Sequence, residues 1–153
     1  MRLLAIIAAM SFVSCVNVKE YASDLLKKSL QDKYLKAHNE VRKSKGLNPL
    51  SWDESLEDMS KGAAENMAKD CRSKAKPRLD AIYQSWGNLI TTPKDVINSW
   101  VRVKGGAYKN IVYEHTIAVG CGYAICKDPK SLSNSVIHVC NYKYKPLLER
   151  ILK

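Results

Sequence analysis

Val119-Gly-Cys-Gly-Tyr-Ala-Ile-Cys126, followed by Val136-Ile-His-Val-Cys-Asn-Tyr142, decides the fold class. Both runs carry the β-branched and aromatic residues that suit a pleated, half-buried surface. A polar loop from Lys127 to Asn134 separates them, so strands over Val119–Cys126 and Ser135–Tyr142 are expected as a hairpin. Successive side chains of a strand point to opposite faces. Cys121 and Cys126, five apart, therefore face opposite ways and should not bond each other. Cys140 lies in the second strand, where a cross-strand neighbour is within bridging reach. The expected pairs are Cys121–Cys140 and Cys71–Cys126.

Upstream, the apolar period changes from two to about 3.6. Leu26, Leu30, Tyr34, His38 and Val41 recur at three- and four-residue steps between Asp24 and Lys45, which predicts a helix with one largely apolar stripe. Gly46 supplies a left-handed stop. Ser51 and Glu54 form the serine-x-x-glutamate pattern of a capping box. A second helix is expected from there to about Ala68, with Leu56, Met59, Ala63 and Met67 inward. Cys71 to Ala81 is polar and irregular, with Pro77 as a breaker. Ile82, Tyr83 and the run Ser85 to Ile90 look strand-like. Thr92-Pro93 opens a third helix, proline being tolerated in the first turn. Val96, Ile97, Trp100 and Val101 form its apolar side, and Gly105-Gly106 is expected to end it. After Pro146, Leu147 to Lys153 is a short amphipathic tail. Helices grouped around a small antiparallel sheet make an α+β domain.

The chain has 153 residues, one domain's worth, with 46% hydrophobic and 26% charged residues, a balance that excludes disorder and fibres. Its start is of another kind. Met1-Arg2 is followed by an apolar run from Leu3 to Val13, then by Ser14 and Cys15. That layout predicts a secretory signal peptide over residues 1–15, and the run is short for a membrane span. Residues 16–33 are expected as an N-terminal extension and the start of the first helix, 34–145 as the domain, and 146–153 as the tail. With Cys15 at the junction, Cys71, Cys121, Cys126 and Cys140 remain in an exported chain and read as two disulfides. A zinc site is the rival use of these cysteines, weakened because no two have the C-x₂-C spacing.

The formal charge is +10, about +9 once Arg2 leaves with the signal. The lysines are spread from Lys19 to Lys153 without a dense basic run, so a solvated basic surface is favoured over a dedicated nucleic-acid site. Contact with an anionic membrane stays open.

Four motifs, in order, resemble the CAP superfamily, which includes cysteine-rich secretory proteins, venom antigens and plant pathogenesis-related proteins. They are Ala37-His-Asn-Glu-Val-Arg42, Leu50-Ser-Trp-Asp-Glu-Ser-Leu56 with the run to Asp70-Cys71, Trp86-Gly-Asn-Leu89, and the two cysteine-bearing strands ending in Val139-Cys-Asn-Tyr142. The resemblance covers roughly Tyr34 to Tyr142 and implies an α-β-α sandwich. His38, Asn39 and Arg42 fall on the family's scaffold motif.

Family members often carry two histidines and two glutamates in a central cleft, able to hold a divalent metal. Carried over by position, the glutamates fall on Gly87 and Val103 and one histidine on Ala107; the other should follow Cys71, yet Arg72 to Tyr83 holds none. The resemblance thus implies a degenerate cleft with no metal and no cofactor. An alternative alignment places His115 at the cleft, but one imidazole without carboxylate partners is a poor divalent-metal site. His38 and His138 read as hydrogen-bonded framework residues.

Enzyme classes fare poorly. There is no Gly-x-Ser-x-Gly elbow, phosphate loop, dinucleotide fingerprint or His-Glu-x-x-His motif. Asp53-Glu54 and Glu57-Asp58 fall on a helix's polar side. The expected function is that of a secreted, non-catalytic binding protein in an extracellular, host–parasite, venom or defence setting. Its partner is an extracellular protein or, in the alternative, a sterol or fatty acid. A metal-dependent enzyme remains as a second alternative.

Overall fold

A computed structural model describes residues 2–69, 71, 82–86, 91–127 and 134–146, with side chains for these except 2–19 and 82–86. The chain divides into two units, Met1–Asp32 and Lys33–Lys153. Its elements are α1 (Arg2–Ser44), β1 (Ser51–Trp52), α2 (Glu54–Ala68), β2 (Ile82–Trp86), α3 (Pro93–Val103), α4 (Gly106–Val112), β3 (Thr116–Lys127) and β4 (Asn134–Tyr144).

The hairpin is the centre of the sheet. β3 and β4 pair antiparallel with Cys121 opposite Cys140, β2 adds antiparallel to β4, and β1 adds parallel to β3, giving the order β1-β3-β4-β2. The fold is α+β, as the motifs imply. The sheet departs from a purely antiparallel one only through the two residues of β1. Both hairpin strands run past their expected ends.

Register sorts the two faces. Val119, Cys121 and Tyr123 pair with Tyr142, Cys140 and His138; Gly120, Gly122 and Ala124 pair with Asn141, Val139 and Ile137. Tyr34 and His38 of α1 bond His138 and Tyr142, so residues 33–44 of α1 cover the first face. α2 covers the second, where the Ser60 hydroxyl donates to the Gly120 carbonyl at 2.7 Å. An α-β-α sandwich results.

α2 lies almost in backbone contact with β3. A Cβ on Gly122 would fall 2.6 Å from the Lys61 Cα, and one on Gly120 2.6 Å from the Asp53 carbonyl oxygen. These two glycines are needed for proximity, which the fold uses to bring backbones together where no side chain fits. The same closeness explains a rotated helix face. The buried residues of α2 are the small Ser60 and Ala64, whereas Met59, expected inward, is 61% exposed. Leu56, Ala63 and Met67 are half-buried. A large residue cannot occupy the centre of so narrow an interface.

Several helix ends differ from expectation. α1 begins at Arg2, well before Asp24, and Leu26 is exposed. Its stop is as expected: Gly46 has φ +69°, and the amides of Gly46 and Leu47 donate to the carbonyls of Lys43 and Arg42, a Schellman closure. The Ser51–Glu54 capping box does not form. Ser51 is committed to β1, where it pairs with Ala118 and donates its hydroxyl to Ile117, so Asp53 caps α2 by accepting from the amides of Ser55 and Leu56. Thr92 does open α3, in a reciprocal box with Asp95. Gly105-Gly106 is more than a stop. α3 already ends at Val103 with Lys104 left-handed, and Gly105 caps the additional helix α4, whose Ala107 and Ile111 are buried four residues apart.

Two disulfides, Cys71–Cys126 and Cys121–Cys140, with Cα separations of 5.4 and 4.1 Å, hold opposite faces of the hairpin. Cys71 and Cys126 sit in a cluster with Ala64, Ile137 and Val139, beneath Ala63, Met67 and Ala68. The irregular stretch after Cys71, the hairpin loop over 128–133 and the tail over 147–153 lie outside the described residues. We expect Gly122→Val to destabilise the protein by about 3 kcal/mol or to prevent folding, because the helix backbone cannot yield as a side chain can. Denaturant titration checks this, and an unchanged midpoint would refute the close contact.

Candidate functional site

The polar residues with the richest chemistry lie between α1 and the sheet, and each is held by a partner. His38 is fully buried. Its Nδ1–H donates to the Tyr34 carbonyl at 2.8 Å, one helical turn back, and its Nε2 accepts from the Tyr142 hydroxyl at 3.0 Å. The Tyr34 hydroxyl donates to Nδ1 of His138 on the same sheet face. Rings of Tyr123 and His138 stack at 6.0 Å, and His38 meets Tyr142 edge-on at 5.7 Å. Burial pushes the His38 imidazole down to about 4, the Tyr34 carbonyl opposing and the Arg42 charge adding to the effect. Burial likewise lowers His138 to about 4 and raises the Tyr34 and Tyr142 hydroxyls. Both imidazoles are thus neutral near pH 7.

Arg42 and Asn39, the other members of the first motif, fasten loops. Asn39 accepts from the Leu50 amide at 2.7 Å and donates to its carbonyl at 3.1 Å. Arg42 is buried and donates to the carbonyls of Asn48 at 2.6 Å, Ile111 at 2.7 Å, Tyr113 at 2.9 Å and Thr116 at 3.3 Å. On the opposite face Asn141 donates to the Ser60 hydroxyl at 2.8 Å. These groups hold backbone and framework hydroxyls.

The carried-over cleft positions that are described differ in exposure. Val103 is 71% exposed at the end of α3, Ala107 is 4% exposed within α4, and Gly87 lies outside the described residues. His115 stands in the turn before β3, its side chain 19% exposed, with Nε2 3.6 Å from Oε1 of its neighbour Glu114 and its ring edge-on to Tyr113. Among the described residues, the three-membered group able to gather around a metal is instead His38, Cys121 and Cys140, whose cysteines are bonded to each other. The paired carboxylates are also structural. Asp53 caps α2, and Glu57 accepts from the Trp52 indole at 3.0 Å.

One surface feature escaped the sequence reading. Lys33, Lys36, Ala37 and Glu40 of α1 line a groove of about 220 Å³ with Thr92, Pro93 and Lys94 at the start of α3. Ala37 and Pro93 supply apolar floor, and Lys94 pairs with Glu40 at 3.5 Å across the rim. Packing alone brings this side of α1 to residues more than fifty positions later in the chain.

This geometry agrees with what the chain matches. The Cysteine-rich secretory protein family, CAP, matches residues 35–142, so the chain belongs to the CAP family. Pathogenesis-related protein 1 of Arabidopsis thaliana is 27% identical over 156 residues, covering 92% of this chain and 88% of the relative. GLIPR1-like protein 1 of Mus musculus is 24% identical over 141 residues, covering 72% and 58%. Among solved structures, MpPR-1i shares the fold with a TM-score of 0.58 at 20% identity, covering 79% of this chain and 93% of that one. The hookworm platelet inhibitor does so with 0.54 at 16%, covering 77% and 71%.

Replacing Arg42 by lysine should cost about 2–4 kcal/mol, since one ammonium cannot reach carbonyls placed for a planar fork. A denaturation midpoint equal to wild type would contradict the role given to Arg42. The two histidines set a pH window. Their folded values, about 4, lie below the unfolded 6.5, so the unfolded chain binds more protons as pH falls between these limits. Stability should be full above pH 6.5 and decline toward pH 4, by on the order of 3 kcal/mol per histidine at most. Chemical denaturation across this range reads the slope; a flat profile would contradict it.

Proposed function

We propose that this CAP-domain protein is exported and works by binding, without catalysis. The observation carrying this reading is that three of the described buried polar side chains with catalytic potential, His38, Arg42 and Ser60, spend their hydrogen bonds on backbone and framework hydroxyls, and that Nδ1 of a fourth, His138, accepts from the Tyr34 hydroxyl. A nucleophile, base and oxyanion donors must instead converge on a space for substrate. Export rests on the apolar opening of the chain, with cleavage near Cys15 or Val16. Two disulfides fit an oxidising compartment. Names of relatives, pathogenesis-related proteins and a hookworm platelet inhibitor, favour a defence or host–parasite setting with an extracellular protein partner.

The groove between α1 and α3 favours a second reading, a carrier of an anionic amphiphile. Its lysines suit a carboxylate head and its apolar floor an acyl chain. About 220 Å³ is below the roughly 300–1,000 Å³ of sites that enclose a drug-sized ligand, so a fatty acid fits this reading better than a whole sterol.

Secretory expression in a eukaryotic host should deliver the protein to the medium with its N-terminus at Cys15 or Val16. The purified product should show no ester, peptide or phosphoester turnover above a heat-denatured control. Capture from extracellular fluid at physiological salt should yield a protein partner. A fluorescent fatty acid that binds the wild-type protein and binds a Lys33→Glu/Lys36→Glu/Lys94→Glu variant more than tenfold more weakly would shift the assignment to the carrier. Turnover, or retention of the whole product inside the cell, would overturn the proposal.

A further inference from the structure

The group His38, Cys121 and Cys140 has a use that the oxidised framework hides. Cys121 and Cys140 sit directly opposite each other on β3 and β4, on the face covered by α1, and His38 projects onto that face. A ring nitrogen of His38 and both sulfurs lie within 4.8 Å of one another, and all three residues are buried. In a tetrahedral zinc site, bond lengths of about 2.0–2.3 Å place donors roughly 3.4–3.8 Å apart. In the reduced chain the two sulfurs must part from bonding distance to that spacing, while the imidazole nitrogen, within 4.8 Å of both, must approach by about an ångström.

The histidine is already prepared as a ligand. Metal-bound imidazoles usually donate their second N–H to a carbonyl or carboxylate, which fixes the tautomer. Here the Tyr34 carbonyl accepts from Nδ1–H, leaving the Nε2 lone pair toward β4, where the Tyr142 hydroxyl now occupies it. Burial also keeps the ring neutral. Two thiolates and one imidazole are a soft donor set that selects zinc over calcium or magnesium.

We propose that, while the Cys121–Cys140 bridge is open, His38, Cys121 and Cys140 form a zinc site that holds α1, β3 and β4 together until the disulfide replaces it. The bridge is open in the newly made chain and reopens with a dithiol. The dithiol gives two electrons to the S–S bond, leaves as its own cyclic disulfide, and two cysteine thiols result. Zinc binding then displaces both thiol protons to water, and the imidazole adds through its lone pair without proton loss. The fourth position is left to solvent or to the Tyr142 hydroxyl. Reforming the bridge needs a disulfide oxidant, which takes two electrons and expels the metal.

The full chain, refolded under a phosphine reductant with and without zinc, tests this. Zinc should slow alkylation of Cys121 and Cys140 at least tenfold, resolved cysteine by cysteine through peptide mass mapping. Cobalt(II) should give one equivalent of a tetrahedral spectrum with sulfur charge-transfer bands. His38→Ala should weaken that binding at least tenfold, and His38→Cys, which restores a soft ligand, should recover it with stronger charge transfer. The oxidised protein should give no sulfur–cobalt band. Absence of zinc-dependent protection at Cys121 and Cys140 in the wild-type chain would overturn the proposal, whatever the variants do. So would cobalt spectra unchanged in His38→Ala, or protection confined to Cys71 and Cys126.

Discussion

The structure depends on the buried guanidinium of Arg42. Four of its N–H bonds gather carbonyls from the loop after α1, the end of α4, the following turn and the first residue of β3. A guanidinium has five N–H donors in a rigid fork, so nearly all of its capacity is used. Burying an unpaired charge costs several kcal/mol, and charge-assisted bonds to carbonyl dipoles offset that cost only when all parts are in place. The chain around Arg42 is therefore tied cooperatively. Loops that would otherwise have no regular hydrogen-bonding partner acquire one from a single helical residue. Asn39, one turn earlier, does the same for Leu50.

The two faces of the hairpin are secured by different means. Toward α2, the fold relies on small residues: Gly120 and Gly122 meet helix backbone, and Ser60 and Ala64 answer them. Toward α1, it relies on aromatic and imidazole rings, with Tyr34, His38, His138 and Tyr142 exchanging hydrogen bonds, the first three buried and Tyr142 partly so. One disulfide braces each face. The sheet is clamped between a close backbone contact and a hydrogen-bonded polar network, two arrangements with little room to adjust.

The motif residues of α1 bond the framework itself. CAP membership accounts for the scaffold motif of His38, Asn39 and Arg42, all of which bond backbone. Among the described residues, a lysine-rimmed groove lies on the surface beside α3.

Local pattern determined much of this protein. Strand parity alone separated Cys121 from Cys126, because side-chain direction along a strand alternates whatever lies around it. Gly46 and Thr92 marked their helix ends through backbone conformation and capping, which act within a few residues. Tertiary structure decided what depends on distant neighbours. Ser51 had the pattern of a cap, but a strand 66 residues away took its hydroxyl. Met59 had the right period to face inward, but the approach of β3 allowed only Ser60 and Ala64 there. Arg42 was legible as a motif residue, while its carbonyl partners were not, since a hydrogen bond to a backbone 69 to 74 residues away leaves no mark on local sequence. The groove and the His38–Cys121–Cys140 cluster are of the same kind: each is made where segments meet, and meeting is a property of packing.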